Sequence, residues 1–223
     1  MYLFLIIFMP CIFAYYCSNC DDKALIPVGA VGFLSSALLC ALRAFFAFAY
    51  RTPQAGFFSN YIYFLFAYSL LPIAAVYVLF FCIVKDDVLF RIRAYFPLLC
   101  AFFAVYIPYT TLMGNRAVYS GFELFCKPVL YAAMIVASAL CVRYAYHAYI
   151  RQAQSRAIAW IILFIVVLFV PAVIETLWFV GFSIALWLPL CAVYICMSVC
   201  AFFNARTDLL FEKNLLVFLP LKR

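Results

Sequence analysis

The sequence predicts an all-α fold, a polytopic transmembrane helical bundle of about seven spans. Three observations predict it. Hydrophobic residues make up 72% of the 223 and charged residues only 10%, whereas a soluble domain is nearer half apolar and a quarter charged. So few polar side chains cannot cover a water-facing surface. The apolar residues fall in long runs, several reaching the ~20 needed to cross a bilayer, separated by short polar segments. Aromatic residues reach 21%, with 27 Phe and 17 Tyr, which suits lipid-facing and interfacial positions. Seven spans use about 140 residues, and nothing outside them could bury its own core. One membrane domain over 1–203 and a tail over 204–223 are expected.

The first apolar run, 1–16, has no Lys or Arg before it. It also lacks a small-x-small cleavage site, since Ala14, Tyr15 and Tyr16 fit poorly. It therefore reads as a short first helix carrying Pro10 rather than a secretory leader. About 15 residues is short for a span. The count is seven with it and six without, a re-entrant or interfacial segment being the alternative. A second helix is expected over 25–50, with Arg43 inside it, and Pro53 and Gly56 turn the chain after it. The third covers 57–84. Lys85, Asp86, Asp87, Arg91 and Arg93 form the next loop. The fourth covers 94–113 and ends at Gly114 and Asn115, and the fifth covers 122–149. The run 157–203 would be about 70 Å long as one helix, more than twice the hydrocarbon thickness. It must fold back, near 175–181, as helices six and seven. The tail, mixing charges with Leu and Phe, reads as an amphipathic helix lying on the membrane.

Orientation follows from the basic residues. Eleven of the 15 Lys and Arg fall on the side of Lys85, Arg151 and the tail, which the positive-inside rule makes cytoplasmic. The N-terminus is then outside and the C-terminus inside, in a cell membrane, with a bacterial inner membrane expected. The net charge of +7 belongs to loops facing lipid headgroups. Nucleic acid is not an expected partner; the bilayer and other membrane or cytoplasmic subunits are.

A charge inside a span costs a few kcal/mol, so each needs a reason. Arg43 lies roughly 24 Å into the second helix and Glu175 roughly 27 Å into the sixth. Both helices run from inside to outside, so the two residues share a depth. They are expected to pair, or to line one polar cavity; the alternative is that each reaches the interface alone. Glu123 and Lys127 have the spacing of a local helical ion pair. Arg143 and His147, four apart at the inner end of the fifth helix, read as an interfacial anchor or a pH-sensitive site. Cys17 and Cys20 have the C-x-x-C spacing of a redox pair or half a zinc site. The charge count places them inside, which weighs against redox work, and one His in the chain offers little for zinc. No metal and no cofactor is expected. Cysteines within spans read as small apolar residues.

Pro10, Pro72, Pro97, Pro108, Pro128, Pro171 and Pro189 each withhold an N–H and free a carbonyl inside a helix. Transporters use such breaks. Gly29, Gly32, Ser35 and Ser36 on the second helix, and Ala132, Ala133, Ala137 and Ser138 on the fifth, allow close helix packing. No H-E-x-x-H, Gly-rich phosphate loop or G-x-S-x-G occurs, and the chain is not expected to be an enzyme.

Pro53-Gln54 after the second helix, in a seven-span layout, resembles the PQ-loop transporters. That family carries a second Pro-Gln and an internal repeat, neither of which is found here, so no family is assigned. The layout is also similar to the membrane input regions of some bacterial sensor kinases, which would require a separate soluble partner. Three functions follow: a small-solute permease or membrane subunit of a transporter, a membrane sensor or interaction subunit, and a structural membrane subunit.

Overall fold

The structure, a computed structural model, describes residues 2–19, 25–45, 56–82, 88–112 and 121–210. Its elements are α1 (Tyr2–Asn19), α2 (Leu25–Phe45), α3 (Phe57–Phe64), a π-helical segment (Leu65–Leu70), α4 (Leu71–Cys82), α5 (Val88–Leu112), a second π-helical segment (Phe122–Cys126), α6 (Lys127–Ile150), α7 (Gln154–Val180) and α8 (Ile184–Leu210). The first π segment joins α3 to α4 as one rod, and the second opens the rod of α6. The result is seven rods, with no strand among the described residues. A helix satisfies its own backbone in lipid, where no water can do so, and long continuous apolar runs favour it over a closed barrel. Six rods are long and apolar enough to cross a membrane, and α1 is a shorter apolar helix. The protein is an all-α, multi-pass membrane protein.

The 18 residues of α1 span about 27 Å, close to the hydrocarbon thickness. Its Phe4 ring lies 5.3 Å from Phe125, which precedes α6, and its Tyr16 ring lies 4.7 Å from Phe96 of α5. Phe125 stands near one end of the bundle and Phe96 in the half nearer the other. The helix therefore runs along the bundle and does not lie across one end.

Several boundaries differ from expectation. The fourth span begins at Val88, so Arg91 and Arg93 are half-buried residues on α5, not loop residues. Val88 and Phe90 open an apolar turn there, and long basic side chains can run along a helix toward water. The turn between the last two spans comes at Gly181, at the far edge of the expected window, so Glu175 stays inside α7. Gly181 takes φ 83°, the left-handed conformation that favours glycine. The Gly181 N–H donates to Trp178 at 3.2 Å and the Phe182 N–H to Leu177 at 3.0 Å, which closes the helix as a Schellman motif. The last helix continues to Leu210, past the expected end of the membrane domain at 203. The remainder of the expected tail helix, 211–223, lies outside the described residues, as do 46–55.

Packing centres on α5 and α6. Helix α2 lies closely on α5, and α7 on α6. Leu98, Leu99, Phe102, Phe103 and Tyr106 of α5 are completely buried. The expected small-residue contact occurs at Gly32, where an added Cβ would sit 2.7 Å from the Leu98 carbonyl oxygen and 3.0 Å from the Ala101 Cβ. Close backbone approach of this kind substitutes for the hydrophobic effect between helices in lipid. By contrast α8 exposes Leu186, Val193 and Met197 along its length, as a lipid-facing helix should.

Two of the prolines show where a freed carbonyl goes. Pro171 in α7 has no N–H for the carbonyl of Val167 four residues earlier. The Tyr194 hydroxyl of α8 donates to that carbonyl at 3.0 Å. In the first π segment the Leu71 N–H bonds back to Phe66, five residues away. The same register would bring the N–H of residue 72 to Ala67, and residue 72 is proline. The Tyr106 hydroxyl of α5 supplies the missing donor to Ala67 at 2.7 Å. A buried carbonyl left without a donor would cost about 1–3 kcal/mol.

Candidate functional site

That Tyr106–Ala67 bond fixes the floor of an ionic cluster near the bundle end where α5 stops and α6 begins. Tyr106 lies about 9 Å along the helix from the end of α5, and Glu175 about 8 Å from the end of α7. Arg43 of α2 donates from Nη1 to the Tyr106 hydroxyl and from Nη2 to the Tyr63 hydroxyl of α3, both at 2.7 Å. Lys127, the first residue of α6, donates to Oε1 of Glu175 at 2.7 Å. The Tyr131 hydroxyl donates to Oε2 of Glu175, also at 2.7 Å. Tyr68 of the first π segment sits between the two cations. Its ring centre is 4.0 Å from the Lys127 ammonium and 5.8 Å from the Arg43 guanidinium. Cation–aromatic contacts at such distances are attractive, the more so away from water.

The second π segment sets Lys127 in place. The Lys127 N–H bonds back to Phe122, five residues earlier, and Pro128 follows at once. The same device, a π segment ending just before an X-Pro pair, therefore occurs at Leu71-Pro72 and at Lys127-Pro128. The extra residue in each π segment rotates the following turn, and π segments recur at functional sites. Here each delivers a member of the cluster, Tyr68 in one case and Lys127 in the other.

Burial makes these charges expensive and their pairing necessary. The Lys127 and Glu175 side chains are only 4% and 2% exposed. Two charges withdrawn together are tolerable only with short bonds and satisfied remaining atoms. Both carboxylate oxygens of Glu175 are satisfied, one by an ammonium and one by a phenol. Arg43 differs. It is half-buried, and its hydrogen bonds among the described residues go to two neutral phenols.

The expected direct pairing of Arg43 with Glu175 is therefore corrected: Glu175 pairs with Lys127, and Arg43 bonds to tyrosines. The two residues do share one cluster, with Tyr68 between them. Lys127, expected to serve a local pair with Glu123, reaches across to α7. The signal that could have found this is depth. Lys127 lies about as far from the start of its rod as Glu175 lies from the end of α7. Glu123 itself is buried one turn before Lys127.

Arg143 and His147 stand one turn apart near the other end of α6, Arg143 buried and His147 half-buried, and they take no part in the cluster. Cys17 is half-buried near the end of α1, and Cys20 lies outside the described residues. Among the described residues no three His, Cys, Asp or Glu side chains converge as a metal site.

A cavity of about 380 Å³ lies between α1, α6 and α8, lined by Phe8, Ile12, Val136, Ile195, Val199 and neighbouring apolar groups. Neither Arg43 nor Glu175 lines it.

Fold and site together define a multi-pass membrane protein with an ionic cluster enclosed in its bundle. Compared with family models, curated proteins and solved structures, the chain matches none.

Proposed function

We propose that the protein is a small-solute permease, or the substrate-binding membrane subunit of a transporter, with the Arg43–Lys127–Glu175 cluster as its solute or coupling-ion site. One observation carries this reading: three charges from three different spans gather around the Tyr68 ring inside the bundle, with Tyr68 inside one π segment and Lys127 directly after the other. Ionisable groups within spans are rare and costly, and they read as functional sites by default. Replacing a buried ion pair by apolar residues of similar volume is often neutral or stabilising, so stability alone does not account for the pair. The buried Lys127–Glu175 pair then represents a closed stage of alternating access, with the partly buried Arg43 on its open side. By the charge distribution, the cluster faces the outer leaflet and the C-terminus is cytoplasmic. The role is one of carrying solute, not of catalysis.

A second reading, a structural or signalling subunit, is supported by the position of the cavity. It is apolar and stands apart from the charges, as a solid bundle that binds lipid or a partner would have it. Uptake into proteoliposomes, screened over small organic solutes, separates the readings. The permease predicts uptake by the wild type and at least about a tenfold loss in Arg43→Ala and Glu175→Ala, since each removes a charge-assisted contact. Wild-type uptake in both variants would remove these residues from the mechanism.

A further inference from the structure

Among the described residues, Arg43 is the one charge of the cluster with no counter-ion. We propose that Arg43 and Tyr63 form a binding site for a small oxyanion, a carboxylate or a phosphate group. The proposal deepens the permease reading by naming the chemistry its site selects, and it rests on that reading for its link to transport.

The argument begins with charge. The chain has eight acidic residues. Asp21, Asp22, Asp86, Asp87 and Glu212 lie outside the described residues, and Asp208 lies in the last turn of α8. Glu175 is held by Lys127 at 2.7 Å. Glu123 sits on the Lys127 side of the cluster, one turn before it. Among the described residues, no carboxylate forms an ion pair with Arg43. A guanidinium within a span is costly, and such groups normally pair or face a water-filled path.

The donors point the same way. A guanidinium carries five N–H groups, and two of them are used on Tyr106 and Tyr63. Tyr106 gives its own hydrogen to Ala67. Tyr63 accepts from Arg43, and its own O–H has no acceptor among the described residues. Among the described residues, three guanidinium N–H groups and one phenol O–H are thus left without a hydrogen-bond acceptor. A ligand that fits must carry negative charge and several acceptors, which describes an oxyanion. Arginine suits carboxylate and phosphate through its planar fork. The fork is held in advance: Tyr106 is anchored by the carbonyl that Pro72 frees, so the geometry exists before the ligand arrives. Arg43 is not fully buried, which leaves the group reachable.

The test is thermal unfolding of the full chain in nanodiscs of phosphatidylcholine, titrated with sodium succinate or sodium phosphate. Sodium chloride at equal ionic strength and choline chloride serve as controls. A saturable rise in melting temperature with succinate or phosphate, absent with both controls, is expected. The apparent affinity should weaken about tenfold or more in Arg43→Gln and in Tyr63→Phe, the latter removing only a hydroxyl. It should not change in Arg156→Gln, an exposed arginine at the far end of the bundle. The rise should also be lost in nanodiscs of anionic phosphatidylglycerol if the oxyanion is a lipid headgroup, and retained if it is a free solute. Either result supports the site, and the first would separate it from solute transport. No rise with either oxyanion, in both lipids and with no stabilisation by the anionic lipid itself, would overturn the proposal. So would an equal rise in Arg43→Gln and Tyr63→Phe. Anion binding without uptake of any oxyanion would keep the site and reject the permease.

Discussion

Three charges at one end of the bundle are stabilised in two different ways. Lys127 and Glu175 neutralise each other at 2.7 Å with a phenol completing the carboxylate, while Arg43 rests on neutral hydroxyls and an aromatic face. The two arrangements predict different responses to mutation. Glu175→Gln strands the Lys127 ammonium and should lower stability by about 3–5 kcal/mol. Adding Lys127→Met should recover more than half of that loss, because the double variant buries no lone charge. Equilibrium unfolding in detergent measures both, and a double variant no more stable than Glu175→Gln would show that the pair is not the source of the effect. Sequence reasoning singled out Arg43 and Glu175 because a charge in an apolar run stands out. It could not pair them correctly, because pairing depends on which helices are neighbours. The tyrosines were hidden for another reason: with 17 in the chain, nothing in their spacing separates Tyr63, Tyr68, Tyr106 and Tyr131 from interfacial ones.

Backbone satisfaction is what shapes the individual helices. A proline inside a helix opens it at a known carbonyl, and in two cases a tyrosine from a neighbouring helix closes it. Tyr194→Phe should cost about 1–3 kcal/mol in the wild type, the usual penalty for an unsatisfied buried acceptor. In a Pro171→Ala background, where residue 171 regains its N–H, the cost should fall by about 1 kcal/mol or more. A double-mutant cycle on thermal or denaturant unfolding reads the difference, and additive effects would contradict the assignment. Glycine contacts give a second contrast on α2. At Gly32 an added methyl meets the Leu98 backbone carbonyl, which cannot move without shifting α5, whereas at Gly29 it meets the Phe13 ring, which can turn. Gly32→Ala should therefore destabilise by about 1–3 kcal/mol, and Gly29→Ala by clearly less on the same assay. The sequence pattern already marked these glycines and prolines. The π segments were not legible, because a π turn differs from an α turn by a single hydrogen-bond register that no composition or period reveals.

At the scale of the whole molecule, hydropathy read the spans well, since in lipid an apolar run of sufficient length has few alternatives to a helix. Ends were read less well. Arg91 and Arg93 looked like loop residues yet belong to α5, because a charge near a helix end can reach water without breaking the helix. Helix alternation together with the 11-to-4 split of basic residues predicts an outward-facing cluster and a cytoplasmic C-terminus. Reporter fusions after Arg116 and after Arg223 check this, the first expected to be active outside and the second inside; the reverse pattern would invert the bundle. The central claim, that the cluster is a working site and not a packed structural joint, requires that water reach it at some stage. Cys40 is buried one turn before Arg43 on α2, and it can report on this directly. In a variant with every other cysteine changed to alanine, reconstituted into proteoliposomes, a membrane-impermeant methanethiosulfonate should label Cys40 under native conditions. Labelling should slow when an oxyanion is added. Labelling only after the protein is unfolded would contradict the account.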